Sequence, residues 1–167
     1  MKFAICSGYF NPIHIVHLDY LQYAKSLADK LFVIVNNDPQ VKLKGSTPFM
    51  NEKDRMRIVG SLEFVDEAIL STDRDDSVLK TLRHLVIYNQ GCGRNSFIFC
   101  NGGERGSENT LEESFCSDNL YLLTSRYNVG GDKAESSSVL INTAAVMHRS
   151  INDELKKIDK TLKGFDL

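Results

Sequence analysis

Between Phe3 and Val35 the sequence leaves little choice of fold. An apolar run, Phe3-Ala4-Ile5-Cys6, breaks at a loop holding Gly8, Asn11 and Pro12, and apolar residues then return with helical spacing at Leu18, Leu21, Ala24 and Leu27. A second apolar run, Leu31-Phe32-Val33-Ile34-Val35, is β-branched and aromatic, which suits a strand buried on both faces of a parallel sheet. Strand, loop, helix and strand in that order form a right-handed crossover, so the loop at Gly8 and the Asn36-Asn37-Asp38 end open on one edge of the sheet. His14 stands at the start of the helix and His17 one turn further in, and both imidazoles can face the helix N-terminus. Unpaired N–H groups and the positive dipole end favour an anion such as a nucleotide phosphate there.

The rest of the chain continues the alternation. Pro39 to Met50 reads as a polar, basic loop, Asn51 with Asp54 as the capped start of a helix through Leu62, Val65 to Ser71 as a strand and Ser77 to Tyr88 as a helix. Ser96 to Cys100 is a buried strand, followed by a short helix around Leu111 to Cys116 and a strand at Leu120 to Thr124. Gly130-Gly131 then leads to Ser136-Ser137-Ser138, an apolar helix, and a separate amphipathic helix from Ile151 to Leu162. This pattern argues an α/β fold with a mainly parallel sheet, a single domain over 1–167, and a C-terminal helical tail at 150–167.

Composition narrows the function. A chain of 167 residues, 42% hydrophobic, can bury one real core, and a formal charge of -2 offers no broad basic footprint for nucleic acid. A nucleotide is the better expectation. No run approaches the roughly 18 uncharged apolar residues of a membrane span, and nothing at the N-terminus has signal-peptide character, so a soluble cytoplasmic protein without membrane partners is expected. Cys6, Cys92, Cys100 and Cys116 show no Cys-x-x-Cys spacing and read as free thiols in a reducing compartment.

From Gly8 to His17 the chain resembles the cytidylyltransferase-like nucleotidyltransferases, whose signature is Gly-x-Phe-Asp-x-x-His-x-Gly-His after the first strand. Asn11 stands in place of the Asp, and Val16 in place of the last Gly. The resemblance implies a Rossmann-like three-layer sandwich with a five-stranded sheet, and nucleotidyl transfer with release of pyrophosphate. His14 and His17 would donate to phosphate oxygens in the transition state, while Gly8, Tyr9, Phe10 and Asn11 would line the nucleotide. By themselves the two histidines also suit a shared metal ion or a structural pair, although no HExxH pattern or cysteine pair accompanies them.

Val41-Lys42-Leu43-Lys44-Gly45, Pro48 and Arg55-Met56-Arg57-Ile58 resemble a Lys-Gly segment of heptose-phosphate adenylyltransferases. That resemblance implies Lys44 bridging the α-phosphate and the acceptor phosphate as a third catalytic residue, and Arg55 holding a phosphate, with Asp38 beside them at the acceptor. A solvated basic face is the plain reading of the same residues. Asn101-Gly102-Gly103-Glu104-Arg105 occupies the place of the relatives' Gly-Gly-Asp-aromatic turn, where Gly102 and Gly103 would let base or ribose pack on backbone and Glu104 replaces the Asp. A plain turn is the alternative. Ser136, Ser137 and Ser138 resemble the Ile-Ser-Ser/Thr-Thr motif that meets the β- and γ-phosphates, although an ordinary serine N-cap explains them equally.

The implied partners are CTP or ATP, Mg²⁺ carried with the triphosphate rather than at a resident metal site, and a small phosphorylated acceptor such as an alcohol phosphate or a sugar 1-phosphate. A homodimer is implied as well. Nicotinamide-mononucleotide adenylyltransferases share Phe-Asn-Pro-x-His with Phe10 to His14 and are a further enzymatic option. A nucleotide-binding module without turnover is the option from another class.

Overall fold

Strand β1 (Lys2–Gly8) feeds two cores at once: Ala4 and Cys6 join one buried cluster, and Phe3 and Ile5 join another on the opposite face. The computed structural model describes residues 1–91, 94–102, 111–117, 123–129 and 137–163. Its further elements are α1 (Ile15–Ser26), β2 (Lys30–Val35), α2 (Asp38–Leu43), α3 (Glu52–Gly60), β3 (Glu67–Leu70), α4 (Leu79–Asn89), β4 (Ser96–Gly102), α5 (Leu111–Ser117), β5 (Leu123–Val129) and α6 (Ser137–Lys163). The strands lie in the order β3-β2-β1-β4-β5, and every neighbouring pair is parallel.

Tyr20, Leu21 and Ala24 of α1 and Val59 of α3 pack with Ala4 and Cys6, whereas Leu82 and Val86 of α4 and Cys116 of α5 pack with Phe3 and Ile5. Helices therefore cover both faces, giving the mainly parallel α/β fold that the alternation implies and the Rossmann-like three-layer sandwich that the resemblance implies. On the α4 side, Phe3 stacks on Phe97 with ring centroids 5.3 Å apart and tilts against Phe32 at 5.2 Å. Such pairs add about 0.5–1.5 kcal/mol beyond the area they bury.

Two compact units divide the chain, Met1–Ala134 and Glu135–Leu167. The sheet belongs to the first, and α6 is the described part of the second. Two expectations need correction. Pro39 to Met50 is not all loop, because α2 forms at its start: Asn37 caps the helix by accepting from the Gln40 N–H, and Gln40 accepts in return from the Asn37 N–H. The two C-terminal helices are one helix of 27 residues, since neither Gly nor Pro interrupts Ser137 to Lys163. Of the strand expected at Leu120 to Thr124, Leu123 and Thr124 belong to β5, and residues 120–122 lie outside the described residues.

Candidate active site

The crossovers through α1 and α3 cover one face of the sheet, and those through α4 and α5 cover the other, so the direction of winding reverses between β1 and β4. In open parallel sheets ligands bind at the carboxyl edge above such a switch point. Gly8 ends β1 there and Gly102 ends β4. Further along the same edge a buried amide network closes the ground beyond β2. Gln40, fully buried, donates to the carbonyls of Asp75 and Ser77 at 2.8 and 2.6 Å and accepts from Asn36 Nδ2 and the Asn37 N–H, both at 3.1 Å. Asn37 Nδ2 donates to the carbonyls of Ser71 and Asp73.

The loop from Tyr9 to His14 is held from within. Phe10 is buried at a left-handed φ of 47°, and its ring lies against Gly8, where an added Cβ would stand 2.8 Å from Phe10 Cζ. The space that Gly8 leaves is thus filled by the loop's own phenylalanine. Gly102 repeats the device, because an added Cβ would meet the Tyr20 ring at 2.9 Å, and the Tyr20 hydroxyl donates to the Cys100 carbonyl. Burial pushes the Tyr20 phenol and the Cys6 thiol well above their ordinary values, so this cluster beneath the switch point carries no charge from either.

His14 is the N-cap of α1 and His17 its third residue. Their ring centroids are 3.9 Å apart, and the Phe10 ring lies 5.0 Å from that of His17. The His14 N–H donates to His17 Nδ1 at 3.3 Å, which makes Nδ1 the acceptor nitrogen and leaves the ring proton of the neutral imidazole on Nε2. The N–H groups of Ile15 and Val16 fall in the first helical turn, which has no intrahelical carbonyl to receive them. Val16 is half-buried. An imidazole pair and a helix N-terminus thus lie together just after β1, an arrangement that suits an anion.

Lys44 comes to the same loop: its Nζ stands 4.5 Å from the centroid of the Tyr9 ring. Arg55, which the resemblance placed at a phosphate, is engaged here by the protein itself. It is fully buried, and its guanidinium faces inward, donating through Nη1 to the carbonyls of Tyr9 and Asn36 at 2.6 and 2.8 Å, through Nε to Met50 at 3.1 Å and through Nη2 to Asp38 Oδ1 at 2.6 Å. Asp38 is correspondingly the partner of Arg55 rather than a group directed at an acceptor. Basic spacing on a helix does not reveal which way the side chain points, and four protein acceptors decided it here.

Asn11 is 5% exposed and bridges, its Nδ2 donating to the Thr47 carbonyl at 2.9 Å and its Oδ1 accepting from the Phe49 N–H at 2.6 Å. An aspartate could accept but not donate, so the family's usual residue could make only half of this bridge. Asn101, 4% exposed at the end of β4, is a residue that sequence reasoning passed over. Among the described residues its Nδ2 has no hydrogen-bond partner, whereas the buried amides of Asn11, Asn36, Asn37 and Gln40 all donate. Gly103, Glu104 and Ser136 lie outside the described residues, while Ser137 and Ser138 open α6 in the second unit. The described residues contain no group of three His, Cys, Asp or Glu able to hold a metal ion, and no helix long and apolar enough to cross a membrane.

A profile of the cytidylyltransferase-like family matches residues 5–104, which include the glycine ends of β1 and β4 and the histidine pair. The chain belongs to the cytidylyltransferase-like family. Among curated relatives it is similar to the FAD synthase of Ferroglobus placidus, 44% identical over 75 residues that cover 45% of this chain and 49% of that protein. It is similar also to the FAD synthase of Methanopyrus kandleri, 37% identical over 90 residues, 52% and 60% of the two chains. The chain spans about half the length of the curated relatives it matches. A lipopolysaccharide core biosynthesis protein from Thermoplasma volcanium shares the fold at a TM-score of 0.60 and 23% identity, covering 80% of this chain and 99% of that one. So does a bifunctional NMN adenylyltransferase/ADP ribose pyrophosphatase from Francisella tularensis, at 0.52 and 13% identity, covering 82% and 39%.

Proposed function

We propose that this protein moves a nucleotidyl group from a nucleoside triphosphate to a phosphorylated acceptor, and that the favoured pair is ATP with flavin mononucleotide. The observation that carries the reading is the His14–His17 ring pair at the N-terminus of α1, above the β1/β4 switch point, in a chain of the cytidylyltransferase-like family. The relatives named FAD synthase support the choice of substrates. FAD joins flavin mononucleotide to AMP through a pyrophosphate, so nucleotidyl transfer makes it when AMP passes from ATP to the flavin phosphate.

In this mechanism an oxygen of the acceptor phosphate bonds to the α-phosphorus in line, the bond to the bridging oxygen breaks, and pyrophosphate leaves. An ionised phosphate brings no proton that must be removed, so catalysis is positioning and charge stabilisation. His17 Nε2–H and the first-turn N–H groups would donate to the α-phosphoryl oxygens, and His14 would act beside them. Lys44 would hold the acceptor phosphate against the same centre. Asn11 and Arg55 keep the loop in shape without touching substrate. Mg²⁺ would be held by the triphosphate's own oxygens and water, since the described residues provide no cluster of ligands for it. The reading includes a homodimer, carried by the resemblance alone, and a reducing cytoplasm, which the buried cysteines Cys6, Cys100 and Cys116, none of them in a disulfide, suit.

Pyrophosphate release is the test. The purified chain is assayed with Mg²⁺ and ATP or CTP against flavin mononucleotide, glycerol 3-phosphate, a heptose 1-phosphate and nicotinamide mononucleotide. Release with ATP and flavin mononucleotide, with FAD as the product, is expected. Release with another pair replaces the substrates proposed here, and nucleotide binding without release from any pair makes the protein a binding module.

A further inference from the structure

Helix α6 carries an apolar stripe centred on Ile151. Ala144, Met147, Ile151, Leu155 and Ile158 follow one another at spacings of 3, 4, 4 and 3 residues, and a further step of 4 in each direction reaches Leu140 and Leu162. At 3.6 residues per turn these positions form a narrow strip along one side of the helix. Met147, Ile151, Leu155 and Ile158 are each between 56% and 61% exposed, a continuous apolar surface of the kind that marks an interaction site. The spacings read the same from either end. A two-fold contact requires that residue i meet residue j wherever j meets i, and an antiparallel pair of these helices satisfies that along the whole stripe. Ile151 meets its own copy, Met147 meets Leu155, and the small Ala144 meets the larger Ile158.

We propose that two copies of this chain associate through α6, antiparallel about a two-fold axis at Ile151. This gives the homodimer a surface and a symmetry, and it stands whether or not the protein transfers nucleotides. Charge selects the direction. By the helical step, His148 and Asp159 flank the stripe on one side and Glu154 flanks it on the other. Parallel copies would run Glu154 of one helix past Asp159 of the other, carboxylate against carboxylate, as at the paired flanking positions of a coiled coil. Antiparallel copies keep like flanks together and bring Asp159 toward His148 instead. Size is sufficient as well. Four large side chains per copy, each with on the order of 100 Å² to lose, and the flanks beside them take the pair to about the 1,000 Å² that a specific interface should clear.

Sedimentation equilibrium of the full chain over the micromolar range tests the surface, with the wild type and Ile151→Asp compared. The wild type is expected to dimerise, and Ile151→Asp, which sets a carboxylate against its own copy at the axis, should weaken the dimer at least about thirtyfold, the effect of losing a hot spot. Ile151 is exposed in the single chain, so the circular dichroism of the variant should match that of the wild type. Direction is read from cysteine variants under mild oxidation. A mixture of Met147→Cys and Leu155→Cys copies should cross-link above the wild-type background, and either variant alone should not. Cross-linking within each variant alone would mean parallel helices and overturn the proposal, as would a monomer at every concentration. Pelleting of such a monomer with anionic phospholipid vesicles would give the stripe to a membrane surface instead. A dimer that Ile151→Asp leaves at full strength would keep the homodimer and overturn its placement on α6.

Discussion

Arg55 donates to the main-chain carbonyl of Tyr9 at 2.6 Å, so a residue in the middle of α3 holds the loop from Tyr9 to His14 in place. The same guanidinium reaches Asn36, Met50 and Asp38. Lysine offers a single head on a flexible stem and cannot span four acceptors that lie around a planar fork. Arg55→Lys should therefore unfold at lower denaturant, and Arg55→Ala should lose about 3–5 kcal/mol, the usual cost of stranding one partner of a buried ion pair. Urea titration followed by circular dichroism measures both. A stable Arg55→Ala protein with only a raised acceptor KM would return Arg55 to the role of phosphate ligand.

Asn11→Asp places the family's usual residue in this site. The carboxylate would keep the Phe49 N–H but would set a negative oxygen against the Thr47 carbonyl, where a donor now stands. Losing a buried hydrogen bond so that an acceptor is left facing a charge costs on the order of 1–3 kcal/mol. The expected result is a lower melting temperature together with faster amide exchange at Phe49. Unchanged exchange there would show that the Thr47–Met50 segment does not depend on Asn11.

The first crossover was legible because its signals are periodic: Phe3 to Cys6, Leu18 to Leu27 and Leu31 to Val35 each match the spacing of one element. The site was legible in part. The meeting of His14 with His17 follows from helical spacing, but the reason for Gly8 and Gly102 does not, since the rings that fill their space, Phe10 and Tyr20, are identified only by packing. The setting of Arg55 was not legible, because a sequence shows that a side chain is cationic and not whether protein carbonyls already surround it. Helix α2 was hidden for a related reason. Lys42, Lys44 and Gly45 suggested a loop, while the deciding signal was the reciprocal cap formed by Asn37 and Gln40, three residues apart.

Gly102→Ala tests whether that glycine serves packing. The new methyl would meet Tyr20 ring carbons at 2.9–3.2 Å, and displacing the ring also loosens the hydroxyl from Cys100. Overpacking of this kind costs roughly 1–3 kcal/mol. In a Tyr20→Leu background, itself destabilised, the same alanine should cost markedly less, and the double-mutant cycle reads the difference as coupling. Additive losses would mean that some other neighbour demands glycine at this position.

Asp66 makes stability depend on pH. Partial burial alone would raise its carboxyl, but hydrogen bonds from Lys25, Lys30 and the Leu31 N–H, with the charge of Lys25, outweigh this and hold it well below the usual carboxylate range. A carboxyl that ionises more readily when folded stabilises the fold above the unfolded value of about 3.9, and that contribution is lost as the pH falls further toward the folded value. The stability gap between wild type and Asp66→Asn should be largest near neutral pH and shrink from about pH 5 downward. A gap independent of pH would mean that Asp66 acts through shape and not through charge.

His17 divides its two nitrogens between structure and chemistry, and substitutions can separate them. Nδ1 accepts from the His14 N–H, while in the proposed mechanism Nε2–H donates to the nucleotide. Asparagine can supply an acceptor near Nδ1 but no donor near Nε2. Glutamine reaches further and can place an amide N–H close to where Nε2 stood. If the Nε2 donor is the catalytic contribution, His17→Ala and His17→Asn should both lose about 10²–10³ in turnover, the range for removing one preorganised donor, and His17→Gln should recover part of it. All three should fold, since the ring is only half-buried. Pyrophosphate release at saturating substrates makes the comparison, and a His17→Asn enzyme as active as His17→Gln would show that the cap to His14 is what matters and that Nε2 donates to nothing essential.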